Sequence, residues 1–198
     1  DRSLPPAKML AKALSAQQGP AFAWLHLRDI HAPYDASSKE LEELGLESDL
    51  PKSPILDRAR SHHTVPRAEF PGRHGWLRGP IRALYAAELS RQDRILGEVL
   101  ASLSEIQNLI IVVSADHGEE LLDHDGIGHA STTLHSAPHP ELVRIPLFIK
   151  LPDGRGAGEQ RKGAFQQVDL MPTLGGLLGL SPQQPVPGLE LDGRDLSA

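Results

Sequence analysis

An α/β fold, with a mostly parallel sheet sandwiched by helices, is what three features of this sequence predict. Leu109-Ile110-Ile111-Val112-Val113-Ser114 is continuously apolar rather than alternating, which suits a strand buried on both faces of a parallel sheet. Ile145 to Lys150 forms a second strand-like run. Ahead of both, residues 81–103 place Leu84, Tyr85, Leu89, Ile95, Leu96, Val99, Leu100 and Leu103 close to one helical stripe, with Glu88, Arg91, Gln92, Arg94 and Glu98 largely opposite.

The remaining elements follow in order. Ala7 to Ala16 has helical spacing, ended by Gln17-Gln18-Gly19-Pro20, and Phe22 to Leu27 is apolar enough to be a buried strand. Residues 35–79 are rich in Pro, charge and His without sustained periodicity, the character of a variable surface-loop insertion. Residues 120–141 read as a Gly- and His-rich loop, 154–163 as a turn, and Phe165 to Val168 as a short strand. Asp169 is the expected N-cap of a helix over Leu170 to Leu178, with Pro172 tolerated in its first turn and Gly175-Gly176 weakening it. Ser181 to Ala198 reads as an irregular tail.

At 198 residues the chain suits one domain with its own core, and 39% hydrophobic with 23% charged residues places it among ordinary globular pieces. A net charge of -6 argues against nucleic acid as the main partner. No apolar run reaches about 18 residues, so no membrane-spanning helix is encoded in this segment. The absence of cysteine excludes disulfides and thiolate ligands without identifying a compartment.

The chemistry concentrates at Asp116-His117-Gly118-Glu119, directly after the apolar run. The carboxyl ends of strands are where open α/β sheets bind ligands. A carboxylate beside a neutral imidazole suits Zn²⁺ or Mn²⁺, whereas Ca²⁺ prefers oxygen throughout. The plainer alternative is a strand-end turn in which Asp116 caps the backbone and His117 is solvated. Glu119 and Glu120 are expected to be solvated or structural rather than ligands. His31, in a loop before Pro33, is by itself as readily a loop histidine, and His26 a hydrogen-bonded core histidine. Five of the ten histidines lie between 117 and 139, so His129 competes with His124, His135 and His139 for any single role. His62, His63 and His74 read as surface residues.

Taken together, Ser114-Ala115-Asp116-His117-Gly118-Glu119-Glu120, Gly128-His129 and Val143-Arg144-Ile145-Pro146-Leu147-Phe148-Ile149-Lys150 resemble the carboxyl-terminal half of the catalytic domain in the sulfatase and alkaline-phosphatase superfamily. Phe22 to Tyr34, with His31-Ala32-Pro33-Tyr34, resembles that family's strand and His-x-Pro-Tyr loop, and Val168 to Leu174 and Asp192 to Leu196 resemble its later segments. The resemblance implies an alkaline-phosphatase-like fold, apparently truncated at its amino terminus, over a single catalytic-domain fragment 1–198. It implies metal-dependent hydrolysis of sulfate esters, with Asp116 and His117 as ligands of a divalent ion (Ca²⁺, Mn²⁺ or Zn²⁺) and His31 and His129 as catalytic and substrate-binding residues. Asp93 and Arg144 match recurrent family positions that a salt bridge or cap explains equally well.

Relatives place a nucleophile in the preceding half, in sulfatases a formylglycine made from Cys or Ser in Cys/Ser-x-Pro-x-Arg. This chain has no such motif. The resemblance therefore implies that the remaining half of the catalytic domain is required, that the isolated chain is inactive, and that it associates through exposed strand edges. The substrate would be a small-molecule, lipid or glycan sulfate or phosphate ester, and the parent would act in the periplasm or otherwise outside the cytoplasm, with any membrane anchor lying elsewhere. A phosphonate or phosphodiester hydrolase, or a lipid-head-group phosphotransferase, is the alternative within the family, since many classical sulfatases carry Asp-Asn where this chain has Asp-His. A non-catalytic remnant or partner-completed metal-binding module is the alternative outside it.

Overall fold

The longest periodic stretch of the sequence becomes the longest helix, and most of the folded core is laid against it. The structure, a computed structural model, describes residues 5–28, 30–61, 74–129, 139–180 and 193–197. It divides into two compact units, Asp1–Arg155 and Gly156–Ala198. In the first, α1 (Pro5–Ser15), α2 (Ser38–Glu43), α3 (Pro54–Ser61) and α4 (Arg78–Ser102) precede β1 (Ile111–Ser114), β2 (Glu120–Leu121), β3 (Ile127–Gly128), α5 (Pro140–Val143) and β4 (Leu147–Lys150). In the second, a 3-10 turn over Gln167–Asp169 runs into α6 (Leu170–Leu177).

The amino-terminal half of α4 packs Ile81, Leu84 and Ala87 against Leu41 of α2, Leu56 and Ala59 of α3, Tyr34, and Leu122 and Ile127 around the β2–β3 hairpin. Its far end packs Val99, with Leu103 just beyond, on Ala7 of α1. Burying each such side chain contributes about 1.5–3 kcal/mol, so α4 forms chiefly because both ends have apolar partners.

Its faces differ from the expected ones. Glu88, assigned by periodicity to the solvent side, is 1% exposed, while Leu89 is 49% exposed. Arg91 explains this. It bonds Glu88 at 2.7 Å, Glu40 at 2.6 Å and Asp35 at 3.0 Å, and the Asp35 N–H donates to Glu88 at 3.0 Å. Burial pushes the Glu88 carboxyl up and Arg91 counteracts it. Glu40 is held down at about 2, first by the Ser37 N–H of its own capping box and then by Arg91. A buried carboxylate is tolerated only with such partners.

The sheet corrects the expectation more deeply. Among the described residues there are two sheets of two strands, both antiparallel: β1 with β4, pairing Val112 with Ile149, and β2 with β3, pairing Glu120 with Gly128. No parallel pair occurs among the described residues. A two-stranded ribbon leaves one face open, so β1 is half-buried rather than buried on both faces, and β4 turns Phe148 and Lys150 outward. Phe22 to Leu27 forms no strand, and Phe22 and Trp24 are 79% and 78% exposed. Extended chain without a ladder partner keeps its backbone groups in water.

The stretch 35–79 also differs from the loop expected there. α2 and α3 form within it, and Ala36, Leu41, Ile55, Leu56 and Ala59 are buried; its residues 62–73, with His62 and His63, lie outside the described residues.

In the second unit, the strand expected at Phe165 to Val168 is replaced by the 3-10 turn. Asp169 takes the expected N-cap position of α6, but its backbone is helical and its side chain makes no capping bond to that helix. Its carboxylate accepts from Gln166 N at 3.0 Å, Arg194 N at 2.7 Å and Arg194 Nη2 at 2.9 Å. Arg194 foremost holds its carboxyl at about 2. Residues 181–192 of the expected irregular tail lie outside the described residues.

Replacing Arg91 with Met leaves the buried Glu88 carboxylate without its cation. The expected cost is about 3 kcal/mol, read as a lowered urea midpoint, and adding Glu88→Gln recovers part of it; an unchanged midpoint in the single variant contradicts the ion-cluster account.

Candidate active site

β1 delivers the functional loop. The Ser114 hydroxyl donates to Pro146 O at 2.9 Å, holding the strand to the chain that enters β4 at the point where the loop departs. Asp116 follows with an exposed carboxylate whose Oδ1 accepts from His117 N at 2.9 Å. Gly118 N donates to Leu142 O at 2.8 Å, and a Cβ at this position would overlap the Glu141 carbonyl oxygen. Glycine is required there because the backbone of α5 presses directly on the loop.

The β2–β3 hairpin turns the chain back. Leu122 and Asp125 adopt left-handed φ values of 65° and 64° within its turn. Arg78 donates to Leu122 O at 2.8 Å and Arg82 meets Asp123 at 2.7 Å, so the turn is tied to the start of α4. Because Glu120 pairs with Gly128, the next residue, His129, returns beside Glu119, with Nδ1 3.5 Å from Oε1.

Three imidazoles converge there. The ring centre of His129 is 4.4 Å from that of His117 and 5.0 Å from that of His31. His31 reaches the group from the loop before Tyr34, whose backbone N–H donates to Ala59 O at 3.0 Å and whose ring is fully buried edge-on to Tyr85. His31 Nδ1 lies 2.6 Å from Ala32 O, and His117 Nδ1 lies 2.7 Å from Gly118 O. A carbonyl only accepts, so both rings carry a proton on Nδ1 and present Nε2 as the lone-pair nitrogen when neutral.

All four residues singled out from the sequence, His31, Asp116, His117 and His129, are thus brought into one group. Glu119 belongs with them, contrary to a solvated role. Its side chain is 7% exposed and faces the Tyr34 hydroxyl and His129. Burial pushes its carboxyl up to about 7, against the pull of His117 and Tyr34. The His129 imidazole is pushed down by burial first and by its neighbours His117 and His31 second. For Asp116, burial alone would raise the carboxyl, but the N–H and the charge of His117, with His26, outweigh it and hold it below the usual range. His26 is correspondingly an exposed residue rather than a core histidine.

The donor set fits a divalent ion. Asp116 Oδ2 and His117 Nε2 lie 3.8 Å apart. Two ligands on one tetrahedral ion sit roughly 3.4 Å apart, given bonds of about 2.1 Å, so a small rotation of the exposed carboxylate brings both to one ion. An oxygen and an imidazole nitrogen match Zn²⁺ or Mn²⁺. Of the competing histidines, His124 and His139 form a separate stacked pair, and His135 lies outside the described residues. Asp93 and Arg144 are exposed. Nothing in the sequence distinguished Glu119 from an exposed loop acid, because its burial depends on the return of the hairpin.

A family model described as Sulfatase matches residues 6–180. The chain is 35% identical over 98 residues to the multifunctional alkaline phosphatase superfamily protein PehA of Trinickia caryophylli, covering 48% of this chain and 18% of that protein. It is 32% identical over 114 residues to human arylsulfatase K, covering 56% of this chain and 20% of that protein. An arylsulfatase of Clostridium perfringens is 30% identical over 117 residues, with 56% and 23% covered. The matched segments span about a fifth of the length of these relatives.

The raised Glu119 carboxyl gives a pH signature in metal-free protein. Between its ordinary value of 4.5 and about 7, Glu119 is ionised when unfolded but protonated when folded, so the folded state binds more protons and stability falls as pH rises through that window. Glu119→Gln is expected to flatten the decline in urea midpoint between those pH values; an identical pH profile for the variant contradicts the burial effect.

Proposed function

Because this chain belongs to the sulfatase family, we propose that it forms the part of a metal-dependent sulfate-ester hydrolase that holds the divalent ion and handles the ester oxygens. The observation that carries this reading is the convergence of His31, His117 and His129 beside Asp116 at the end of one strand. Asp116 and His117 are the metal ligands through Oδ2 and Nε2, with Zn²⁺ or Mn²⁺ the ions their chemistry favours. A divalent ion bound there supplies Lewis-acid polarisation of an ester oxygen and offsets developing negative charge.

His31 and His129 act on the ester itself. With its Nδ1 proton committed to Ala32 O, His31 turns Nε2 to the substrate, donating a hydrogen bond or a proton to the leaving oxygen when charged. The lowered pKa of His129 keeps it neutral near pH 7, so it orients oxygens without adding repulsion to the cluster. Glu119 lies behind His129, with its Oε1 3.5 Å from Nδ1. The nucleophile is not among these residues: the chain has no cysteine and no Cys/Ser/Thr-x-Pro-x-Arg motif. It comes from the amino-terminal part of the catalytic domain, as formylglycine if the protein is a sulfatase.

A second reading within the family, phosphonate or phosphodiester hydrolysis or lipid-head-group phosphoryl transfer, is favoured by the similarity to a multifunctional alkaline phosphatase superfamily protein and by histidine at position 117.

Aryl sulfate and aryl phosphonate ester hydrolysis by the full-length protein separates the two readings by kcat/KM. Asp116→Ala is expected to abolish the response to added Zn²⁺ or Mn²⁺, and His31→Ala to lower kcat by about 100-fold or more. The 198-residue chain alone is expected to show no turnover. Metal-dependent turnover that survives Asp116→Ala rejects the assignment, and turnover by the isolated chain rejects the missing nucleophile.

A further inference from the structure

Successive residues of an extended strand face opposite sides, so Glu119 turns toward His129 while Glu120 turns away. On that other side Glu120, His124 and His139 place one donor atom each within 4.8 Å of one another. None of them belongs to the Asp116–His117 pair. We propose that Glu120, His124 and His139 hold a second divalent transition-metal ion of the Zn²⁺ type, which ties the β2–β3 hairpin to the start of α5.

Three observations point the same way. Two imidazoles and one carboxylate make a Zn²⁺ donor set. Glu120 is 2% exposed, and its Oε1 accepts from Gly126 N at 3.1 Å, which anchors the carboxylate and leaves lone pairs for a cation. Gly126 is needed beside it, because a Cβ there would lie 2.5 Å from Glu120 Oε2.

The second imidazole nitrogen of a metal-binding histidine characteristically pairs with a carboxylate, which orients the ring. His124 Nδ1 is paired in this way with Glu141 Oε1, and so presents Nε2 as the ligand nitrogen. The His124 and His139 rings stack with centres 3.6 Å apart at an interplanar angle of 4°, and because each ring's lone pair lies in its own plane, the rings must turn out of this stack before both meet one ion.

Ligands on a tetrahedral ion are roughly 3.4 Å apart, so closing a spread of up to 4.8 Å takes rotations that also part the stacked rings. The His124 side chain, 44% exposed, can turn without disturbing the core. His139 stands at the N-cap of α5, and Glu120 and His124 lie in the hairpin and its turn. An ion between them fixes the hairpin that returns His129 to His117. Its occupancy is independent of what the first site hydrolyses.

The test is Co²⁺ binding to the full-length protein carrying Asp116→Ala and His117→Ala, followed by visible ligand-field absorption and equilibrium dialysis. In that background His124→Ala or His139→Ala, both at side chains outside the core, is expected to lower the stoichiometry by one ion per chain and remove the corresponding band. Glu141→Gln, which alters the residue orienting His124 rather than a ligand, is expected to weaken binding by about 10- to 100-fold. Stoichiometry and absorption unchanged by both histidine variants overturn the proposal and reduce the group to a stacked pair with an ion-paired carboxylate. Because the readout involves no ester hydrolysis, this result leaves the sulfatase reading untouched, and loss of hydrolysis leaves the second site untouched.

Discussion

The bond from Gly118 N to Leu142 O is the constraint on which the site depends. It brings the backbone of the loop after β1 so close to α5 that no side chain fits at position 118. From that pinned point the chain enters the short β2–β3 hairpin, whose register sets His129 back beside His117. A slip of one residue would turn His129 to the opposite face, because strand side chains alternate. Arg78 and Arg82 guard against such a slip by holding the hairpin turn to α4.

Three buried glutamates show how one side-chain type is accommodated in three ways. Glu88 is neutralised by Arg91 and a backbone N–H, an arrangement whose product is stability. Glu119 has no cation of comparable strength, only histidines and a tyrosine hydroxyl, so burial lifts its carboxyl to about 7. Glu120 is held by one backbone N–H and faces two imidazoles. The first is compensated within the fold, whereas Glu119 retains the capacity to take up a proton and Glu120 keeps lone pairs for a cation. Buried acids of that kind concentrate where chemistry is done.

The apolar surface left open follows from the sheet. Among the described residues β1 and β4 pair only with each other and Phe22 to Leu27 has no ladder partner, and Phe148, Phe22 and Trp24 stand exposed. α4, by contrast, is covered at both ends, which makes it the stable element against which the site residues are referenced.

The sequence by itself determined the strong local features. Continuous apolar runs produced β1 and β4, helical spacing produced α1 and α4, the Asp169 cap signal marked α6, and His31, Asp116, His117 and His129 were legible because they stand in segments that resemble the sulfatase family's. These signals depend on near neighbours in the chain. Tertiary structure alone decided the rest. Among the described residues the strand Ile111–Ser114, expected in a parallel sheet, pairs antiparallel instead, since an apolar strand records that it is to be buried and not which partner or direction will bury it. Glu88 left the solvent face because Arg91 collects acids 51 and 56 residues away. Glu119 and the Glu120, His124 and His139 group acquired their environments only when the hairpin closed. Burial, charge pairing and metal-ligand geometry are properties of residues distant in sequence, so they come into being only when the chain is folded.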